Sequence, residues 1–287
     1  MADEGLLPVK TDKAVEYVVH DGVRLTGDLY RPQGGRDHPI LIAVHGGGWR
    51  RETAAAYRFW GPWLASRGIA LFSIEYRLVA GETNRHPAAM HDVRAAVQFV
   101  RANAARLGID AARIGLVGDS SGAHLSALVA LAGDAPRFSQ AHRDDPHAGI
   151  STAVKAVVGV YGVYDLLAQW QHGQIARPRD QITELLIGVS PLDDKFRYFE
   201  ASPIAHTTTE AAAKTAFLLS WGTDDDVVDW TTQSQPFMTA LKQAGALVRC
   251  VAVPAAPHFW MTEPIDEPGS FSGFLAPKLL RFLRERL

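Results

Sequence analysis

The chain has 287 residues, 47% of them hydrophobic and 21% charged, a balance that excludes a wholly disordered protein. Its 29 basic and 31 acidic residues give a net charge of −2, which disfavours nucleic acid as a partner. We expect a single domain over residues 1–287, because no stretch resembles a linker and a chain of this length buries about 75% of its unfolded surface.

The start of the chain and its single cysteine bear on the cellular compartment. Met1–Gly5 is acidic and lacks the basic-then-apolar pattern of a signal peptide. No apolar run reaches the ~18 residues of a membrane span. We therefore expect a soluble, cytoplasmic protein without a membrane partner. Cys250 lies in the apolar run Val248–Val253, which predicts a buried, inert thiol.

The first 40 residues predict two antiparallel strands, Ala14–Val19 and Val23–Tyr30, joined by a turn at Asp21-Gly22. Short apolar runs and helical periods then alternate along the chain. The predicted strands are Pro39–Val44, Ile69–Ile74, Arg113–Val117, Val154–Val160, Ala216–Ser220 and Val248–Val253, and the predicted helices are Ala54–Arg67, His91–Leu107, Ala123–Ala132, Thr231–Ala244 and Ala276–Leu287. This alternation predicts an α/β fold whose mostly parallel sheet is covered on both faces, with the chemistry at the carboxyl ends of the strands.

Two segments interrupt the alternation. Asp134–Thr152 is polar, whereas Asp165–Thr209 carries large apolar side chains between two predicted strands. Connections this long usually have a role, such as a lid or a pocket wall. We predict that Asp165–Thr209 is a lid over the active site; the alternative is an ordinary surface insertion.

The motif G-x-S-x-G occupies Gly118–Gly122, between a predicted strand and a predicted helix. In that context the motif is typical of a nucleophilic serine on a sharp turn, which makes Ser120 the candidate nucleophile. The two glycines remove side chains that would collide within the turn, and the following helix directs N–H groups toward negative charge. The alternatives are an ordinary loop rich in glycine and serine and a phosphate-binding turn.

His45-Gly46-Gly47-Gly48-Trp49 directly follows the strand Pro39–Val44. Consecutive glycines let backbone N–H groups turn into a cavity, which is what an oxyanion hole requires. A phosphate-binding Walker loop would need a G-K-[ST] sequence, and no lysine is present here. We expect His45 to hold the loop rather than to act as a base.

A nucleophilic serine needs a base, and the base needs an acid. His258 is the candidate base because it follows the strand Val248–Val253, whereas His124 lies on the flank of the helix after Ser120 and is expected to pack. Spacing alone does not choose among the four aspartates that follow the strand Ala216–Ser220, which are Asp224, Asp225, Asp226 and Asp229. The order serine, aspartate, histidine is that of α/β-hydrolases.

With these motifs the sequence resembles the α/β-hydrolase superfamily from about Val15 to Leu287. It is most similar to the carboxylesterase branch with an H-G-G-G oxyanion motif, which includes hormone-sensitive-lipase-like, feruloyl-esterase-like and kynurenine-formamidase-like enzymes. The resemblance implies an α/β-hydrolase fold with a helical lid insertion at about 165–209. It also implies Asp225 as the acid, through the match of Gly222–Val228 to the pattern G-x-x-D-x-x-V. The implied oxyanion donors are the N–H groups of Gly47, Gly48 and Ser121, with Gly46 as the alternative that some relatives use.

These observations predict a serine hydrolase that cleaves carboxylic esters through an acyl-enzyme. The alternatives are an aryl formamidase and a non-catalytic ligand-binding protein, although retention of His258 disfavours the latter. No metal or cofactor is expected, and no metal-ligand cluster is visible in the sequence. We expect a small-molecule ester with an apolar or aromatic group, contacted by Trp49, Trp170 and Phe259. The oligomeric state, including a homo-oligomer, stays open.

Overall fold

The computed structural model describes residues 5–287, so the acidic stretch Met1–Glu4 lies outside the described residues. Within that range the chain forms an eight-stranded sheet of order β1-β2-β4-β3-β5-β6-β7-β8. The strands are β1 (Val9–His20), β2 (Val23–Pro32), β3 (His38–Val44), β4 (Ala70–Ile74), β5 (Ile109–Asp119), β6 (Ala156–Val160), β7 (Ala216–Gly222) and β8 (Val248–Val253). Strands β3 to β8 pair in parallel and β1 pairs with β2 antiparallel, as the sequence predicted. Strand β2 joins this hairpin to the sheet through an antiparallel pairing with β4.

The central strands of the sheet are buried on both faces, and β3 shows how. Ile40, Ile42 and Val44 belong to one hydrophobic cluster, while Leu41 and Ala43 belong to a second one. Because successive side chains of a strand point to opposite faces, the continuous apolar run supplies both clusters at once. The carboxyl ends of the parallel strands therefore remain as the edge where polar groups gather.

Helices cover both faces of this sheet. They are α1 (Trp60–Ala65), α2 (Ala88–Ala102), α3 (Ala104–Leu107), α4 (Ser121–Ala132), α5 (Pro136–Ser139), α6 (Leu166–Ala176), α7 (Ile182–Ile187), α8 (Lys195–Ala201), α9 (Thr209–Ala212), α10 (Ser234–Gln243) and α11 (Phe271–Arg286), with 3₁₀ turns at Ala54–Tyr57, Pro203–His206 and Trp260–Thr262. None of the helices within residues 5–287 combines the length and the apolar character needed to cross a membrane.

The predicted helix Ala54–Arg67 is wrong in its extent. A 3₁₀ turn covers Ala54–Tyr57, and the α-helix begins only at Trp60. Pro62 explains the break, because proline has no N–H to donate to the preceding turn and is tolerated only in the first turn of a helix.

The long segment Asp165–Thr209 folds into α6, α7 and α8, followed by a 3₁₀ turn and the start of α9. Asp165 caps α6 by accepting from the N–H groups of Leu167 and Ala168. The indole Nε1 of Trp170 in α6 donates to Glu184 Oε1 in α7 at 2.6 Å, which ties these two helices together. The segment is thus a helical insertion after β6.

The prediction that Cys250 is buried is wrong. Cys250 is exposed, because β8 is an edge strand whose residues are mostly only partly buried. The apolar run was correctly predicted as a strand, but a sequence run does not reveal which strand ends a sheet.

Candidate active site

Ser120 lies in the tight turn between β5 and α4, with φ 51° and ψ −118°. A Cβ on Gly118 would lie 2.3 Å from backbone atoms of Gly122, and a Cβ on Gly122 would lie 1.9 Å from the carbonyl oxygen of Val44, so both positions require glycine. The N–H of Ser120 donates to the carbonyl of Val160 at 2.9 Å. Positive φ strains a serine backbone, and such strain persists only where the surroundings hold it. The turn therefore presents Ser120 at the carboxyl end of the sheet.

Ser120, His258 and Asp225 form one hydrogen-bonded row. The Oγ atom of Ser120 lies 2.9 Å from Nε2 of His258, and Nδ1 of His258 lies 2.6 Å from Oδ2 of Asp225. The other oxygen of Asp225, Oδ1, accepts from the backbone N–H groups of Val227 and Val228 at 3.0 and 2.9 Å. The side chains of His258 and Asp225 are only 1% and 0% exposed, so this row is shielded from solvent.

The other candidate aspartates of this loop make different contacts. Asp224 accepts from the hydroxyl of its neighbour Thr223, and Asp229 accepts from Thr231. Asp226 is exposed. Of these four aspartates, all within the described residues 5–287, only Asp225 forms a hydrogen bond with His258.

The glycine loop after β3 holds its backbone in conformations that favour glycine. Gly47 and Gly48 have φ of +91° and +61°, and a Cβ on Gly47 would lie 2.4 Å from the carbonyl oxygen of Arg51. The N–H of Gly46 already donates to Asp119 Oδ1 at 3.1 Å. By contrast, the N–H groups of Gly47 and Gly48 donate to no atom of residues 5–287.

Ser121 supplies a third backbone N–H next to Ser120. It is the first residue of α4, and the first N–H groups of a helix have no acceptor within the helix. Gly48, Ser120 and Ser121 line one cavity. The arrangement offers unpaired N–H groups beside a serine hydroxyl, which is the geometry that stabilises a developing oxyanion.

Sequence reasoning missed Asp119, which precedes the candidate nucleophile. Its Oδ1 accepts from Gly46 N–H and, at 3.0 Å, from the hydroxyl of Tyr57. Burial raises the pKa of Asp119 to about 6, and the hydrogen bond from Tyr57 opposes that rise. The ring of Tyr161, whose hydroxyl lies 3.5 Å from Asp119, packs 4.3 Å from the His258 ring. The only sign of Asp119 in the sequence was an acidic residue at the first variable position of the G-x-S-x-G motif.

We expected His124 to pack and His45 to hold the glycine loop, and both residues are buried. His124 accepts from Trp49 Nε1 at 3.1 Å through Nδ1, and its Nε2 donates to the carbonyl of Ala201 at 2.8 Å. Burial lowers the pKa of His124 to about 4, and the bond to Ala201 opposes this effect. His45 stacks on the ring of Tyr76 at 4.3 Å. His124 thereby connects the glycine loop, through Trp49, with the end of α8.

A cavity of about 60 Å³ lies beside Ser120. Trp49 closes one side, α6 and α7 contribute Trp170 and Ile182, and the loop that carries Asp225 contributes Val227 and Val228. The accessible surface of the walls is mostly apolar, and polar or charged groups are added by Gln169, Gln174, Arg177, Asp180, Gln181 and Thr183. The insertion after β6 therefore forms one wall of the site.

The three residues expected to contact substrate occupy different positions. Trp49 lines the cavity although it is only 2% exposed, and Trp170 lines it while bound to Glu184. Phe259 is not among the described residues that line this cavity. Its side chain is 58% exposed and its ring packs edge-on against His258 at 4.4 Å. Its left-handed backbone, with φ of +70°, turns the side chain outward beside the histidine.

Solved esterase structures share this architecture. The propionate-bound esterase Est2 of the planctomycete Thermogutta terrifontis matches with a TM-score of 0.73 and 23% identity over 99% of this chain and 94% of that one. Carboxyl esterase 2 of the fungus Tuber melanosporum matches with a TM-score of 0.75 and 21% identity over 99% of this chain and 89% of that one. The chain has the α/β-hydrolase fold, which confirms the predicted fold class.

The BD-FAE family model matches residues 27–241, so the chain belongs to the BD-FAE family. Esterase LipC of Mycobacterium tuberculosis is 32% identical over 228 residues, which cover 77% of this chain and 52% of that protein. Esterase LipQ of the same organism is 33% identical over 227 residues, which cover 78% and 51%. A probable isoprenylcysteine alpha-carbonyl methylesterase of Oryza sativa, ICMEL1, is 30% identical over 233 residues, covering 76% and 50%. The chain spans about half the length of these curated relatives.

Proposed function

We propose that this protein hydrolyses carboxylic esters with Ser120, His258 and Asp225 as a catalytic triad. The observation that carries the proposal is the row of hydrogen bonds from Ser120 Oγ to His258 at 2.9 Å and from His258 to Asp225 at 2.6 Å. The curated relatives LipC and LipQ are named esterases, which supports ester chemistry at such a row.

Asp225 determines which nitrogen of His258 carries a proton. Oδ1 of Asp225 is engaged by two backbone N–H groups, and Oδ2 accepts from Nδ1 of His258. The neutral imidazole therefore carries its hydrogen on Nδ1 and presents a lone pair at Nε2. That lone pair faces the Ser120 hydroxyl and takes its proton as the oxygen attacks an ester carbonyl.

The attack moves negative charge onto the carbonyl oxygen. The free N–H groups of Gly47, Gly48 and Ser121 are the proposed donors for this oxyanion. As the tetrahedral intermediate collapses, the C–O bond to the alcohol breaks and His258 returns its proton to the leaving oxygen. Water, activated by the same histidine, then hydrolyses the acyl-enzyme and frees Ser120.

The cavity favours a short acyl group. Its volume of about 60 Å³ equals the liquid volume of roughly two water molecules at about 30 Å³ each. The walls formed by Trp49, Trp170, Ile182 and the two valines favour an apolar acyl chain. Est2 structures that carry propionate and butyrate agree with this size class. We propose esters of acids with about two to four carbons as the preferred substrates.

A panel of p-nitrophenyl esters from acetate to decanoate, with N-formylkynurenine beside them, tests this proposal. We expect kcat/KM to be highest between acetate and butyrate and to fall steeply for longer chains, with His258→Ala as the inactive control. Faster turnover of N-formylkynurenine than of any ester would show an aryl formamidase instead. Binding without turnover of any compound would contradict the catalytic proposal and indicate a ligand-binding protein.

A further inference from the structure

Three side chains of metal-ligand type meet where the β1–β2 hairpin contacts the polar loop before β6. They are His20 at the end of β1, and His142 and Asp145 in that loop, here called the His20 cluster. One ligand atom from each residue lies within 4.8 Å of the others. None of the three is among the described residues that line the cavity of Ser120.

The hydrogen bonds around His20 resemble those of a metal-binding imidazole. Nδ1 of His20 lies 2.6 Å from Asp92 Oδ1, in α2. Asp92 is fully buried and also accepts from the guanidinium and the backbone N–H of Arg77, so it serves as a carboxylate and accepts the proton of Nδ1. Metal-ligating histidines usually donate their other ring N–H to a carboxylate in this way. His20 thereby presents its second nitrogen, Nε2, to the loop.

The Nε2 atom of His20 faces a second acceptor. It lies 2.8 Å from Asp145 Oδ2, and the side chain of His20 is only 1% exposed. A lone pair and a carboxylate at this distance repel each other unless a cation lies between them. At 2.8 Å a proton supplies that charge. A metal ion would lie about 2.0–2.2 Å from each ligand atom, so Asp145 in its partly exposed loop would have to move slightly away from His20 to admit it. Asp145 has no ion-pair partner other than His20 among residues 5–287.

Two further imidazoles lie beside this pair. The ring of His142 stacks on that of His20 at 3.8 Å. The ring of His91 packs edge-on against His142 at 5.4 Å. His91 is about nine-tenths buried, and its Nε2 has no hydrogen-bond partner in the described part of the chain. Buried polar atoms are normally paired, so an orphan nitrogen next to three ligand-type groups indicates a missing partner.

We propose that the His20 cluster binds one divalent transition-metal cation of the zinc type. Two imidazole nitrogens and one carboxylate oxygen form a donor set that suits zinc, with water or His91 in a fourth position. Binding requires the His142 ring to turn out of its stack on His20, which its position in a partly exposed loop permits. The metal would fasten the loop to the β1–β2 hairpin, and this role is independent of the proposed esterase activity.

The test uses Zn²⁺ and Co²⁺ on the full-length protein after treatment with a chelator. We expect saturable binding of one Zn²⁺ per chain in calorimetry, ligand-field bands of bound Co²⁺ in the visible spectrum, and a rise in Tm of about 5 °C at a hundredfold excess of Zn²⁺ over Kd. His142→Gln and Asp145→Asn should each weaken Zn²⁺ binding at least tenfold.

His147→Gln is the matched control, because His147 lies in the same loop, contacts Asn103 and is outside the His20 cluster. It should bind Zn²⁺ like the wild type. Circular dichroism and hydrolysis of p-nitrophenyl acetate check that each variant is folded. Absence of saturable binding to the wild type would overturn the proposal and leave a proton as the cation between His20 and Asp145. Equal affinity for Zn²⁺ in the wild type, His142→Gln, Asp145→Asn and His147→Gln would also overturn the proposal.

Discussion

Replacing Asp225 with asparagine tests how the carboxylate controls His258. Oδ1 of Asp225 accepts from the N–H groups of Val227 and Val228 at 3.0 and 2.9 Å. An asparagine keeps those two bonds only if its carbonyl oxygen takes the place of Oδ1. Its NH₂ group must then take the place of Oδ2 and face Nδ1 of His258. The substitution thus preserves the loop and reverses one hydrogen bond.

The reversal inverts the tautomer of the histidine. Nδ1 must accept from the asparagine NH₂, so the ring hydrogen moves to Nε2 and the lone pair that faced Ser120 is lost. In serine proteases with the same constellation, this change lowers kcat by about 10⁴-fold. A loss of that size corresponds to about 5.5 kcal/mol of transition-state stabilisation. We expect the same order of loss here, with KM changed far less.

The assay is the kcat for p-nitrophenyl butyrate, with Asp224→Asn and Asp226→Asn as matched controls. Both controls change a neighbouring carboxylate of the same loop that does not contact His258, so their kcat should stay within a few-fold of the wild type. Thermal unfolding verifies that Asp225→Asn is folded. A nearly normal kcat for Asp225→Asn, or a dead Asp226→Asn, would refute the assignment of the acid.

Three other substitutions test the surroundings of the site. Burial raises the pKa of Asp119 from 3.8 to about 6, so the folded state retains this proton between about pH 4 and 6 and the free energy of unfolding falls as pH rises through that window. Asp119→Asn should remove about 3 kcal/mol of this pH dependence in urea titrations. Identical pH profiles of the wild type and the variant would contradict this prediction. His124→Phe leaves the Trp49 N–H and the Ala201 carbonyl unpaired, so urea unfolding should show a loss of about 2–5 kcal/mol that His124→Gln partly restores. Trp170→Ala enlarges the cavity and should raise kcat/KM for the hexanoate ester relative to the acetate ester, with Trp170→Phe as the control. A change of kcat/KM by the same factor for every ester would indicate that the insertion does not determine acyl-chain specificity.

The sequence predicted much of the sheet and the residues of the hydrogen-bonded row, and the reason is geometric. Parallel strands place their carboxyl ends at one edge, so Ser120 after β5, Asp225 after β7 and His258 after β8 had to converge. The choice of Asp225 among four aspartates came from family resemblance. Its physical basis, the two N–H groups that orient its carboxylate, is visible only in the folded loop.

Other features could not be predicted because they depend on packing between distant segments. Cys250 is exposed since β8 ends the sheet, a fact that no local pattern contains. The His20 cluster joins residues 20, 142 and 145, and that spacing matches no recognised metal motif. Asp119 stands in a variable motif position, so only its burial beneath the glycine loop reveals that it holds Gly46.

Covalent labelling of Ser120 tests the central claim most directly. A fluorophosphonate reacts with a serine only where a base activates it and an oxyanion site accepts the phosphoryl oxygen. Intact-mass spectrometry should show one adduct on the wild type, mapped by peptide analysis to Ser120. Ser121→Ala should keep the adduct because it retains the backbone N–H, and Ser120→Ala should lose it. An adduct that persists in Ser120→Ala, or a wild type that remains unlabelled, would contradict the assignment of Ser120 as the nucleophile.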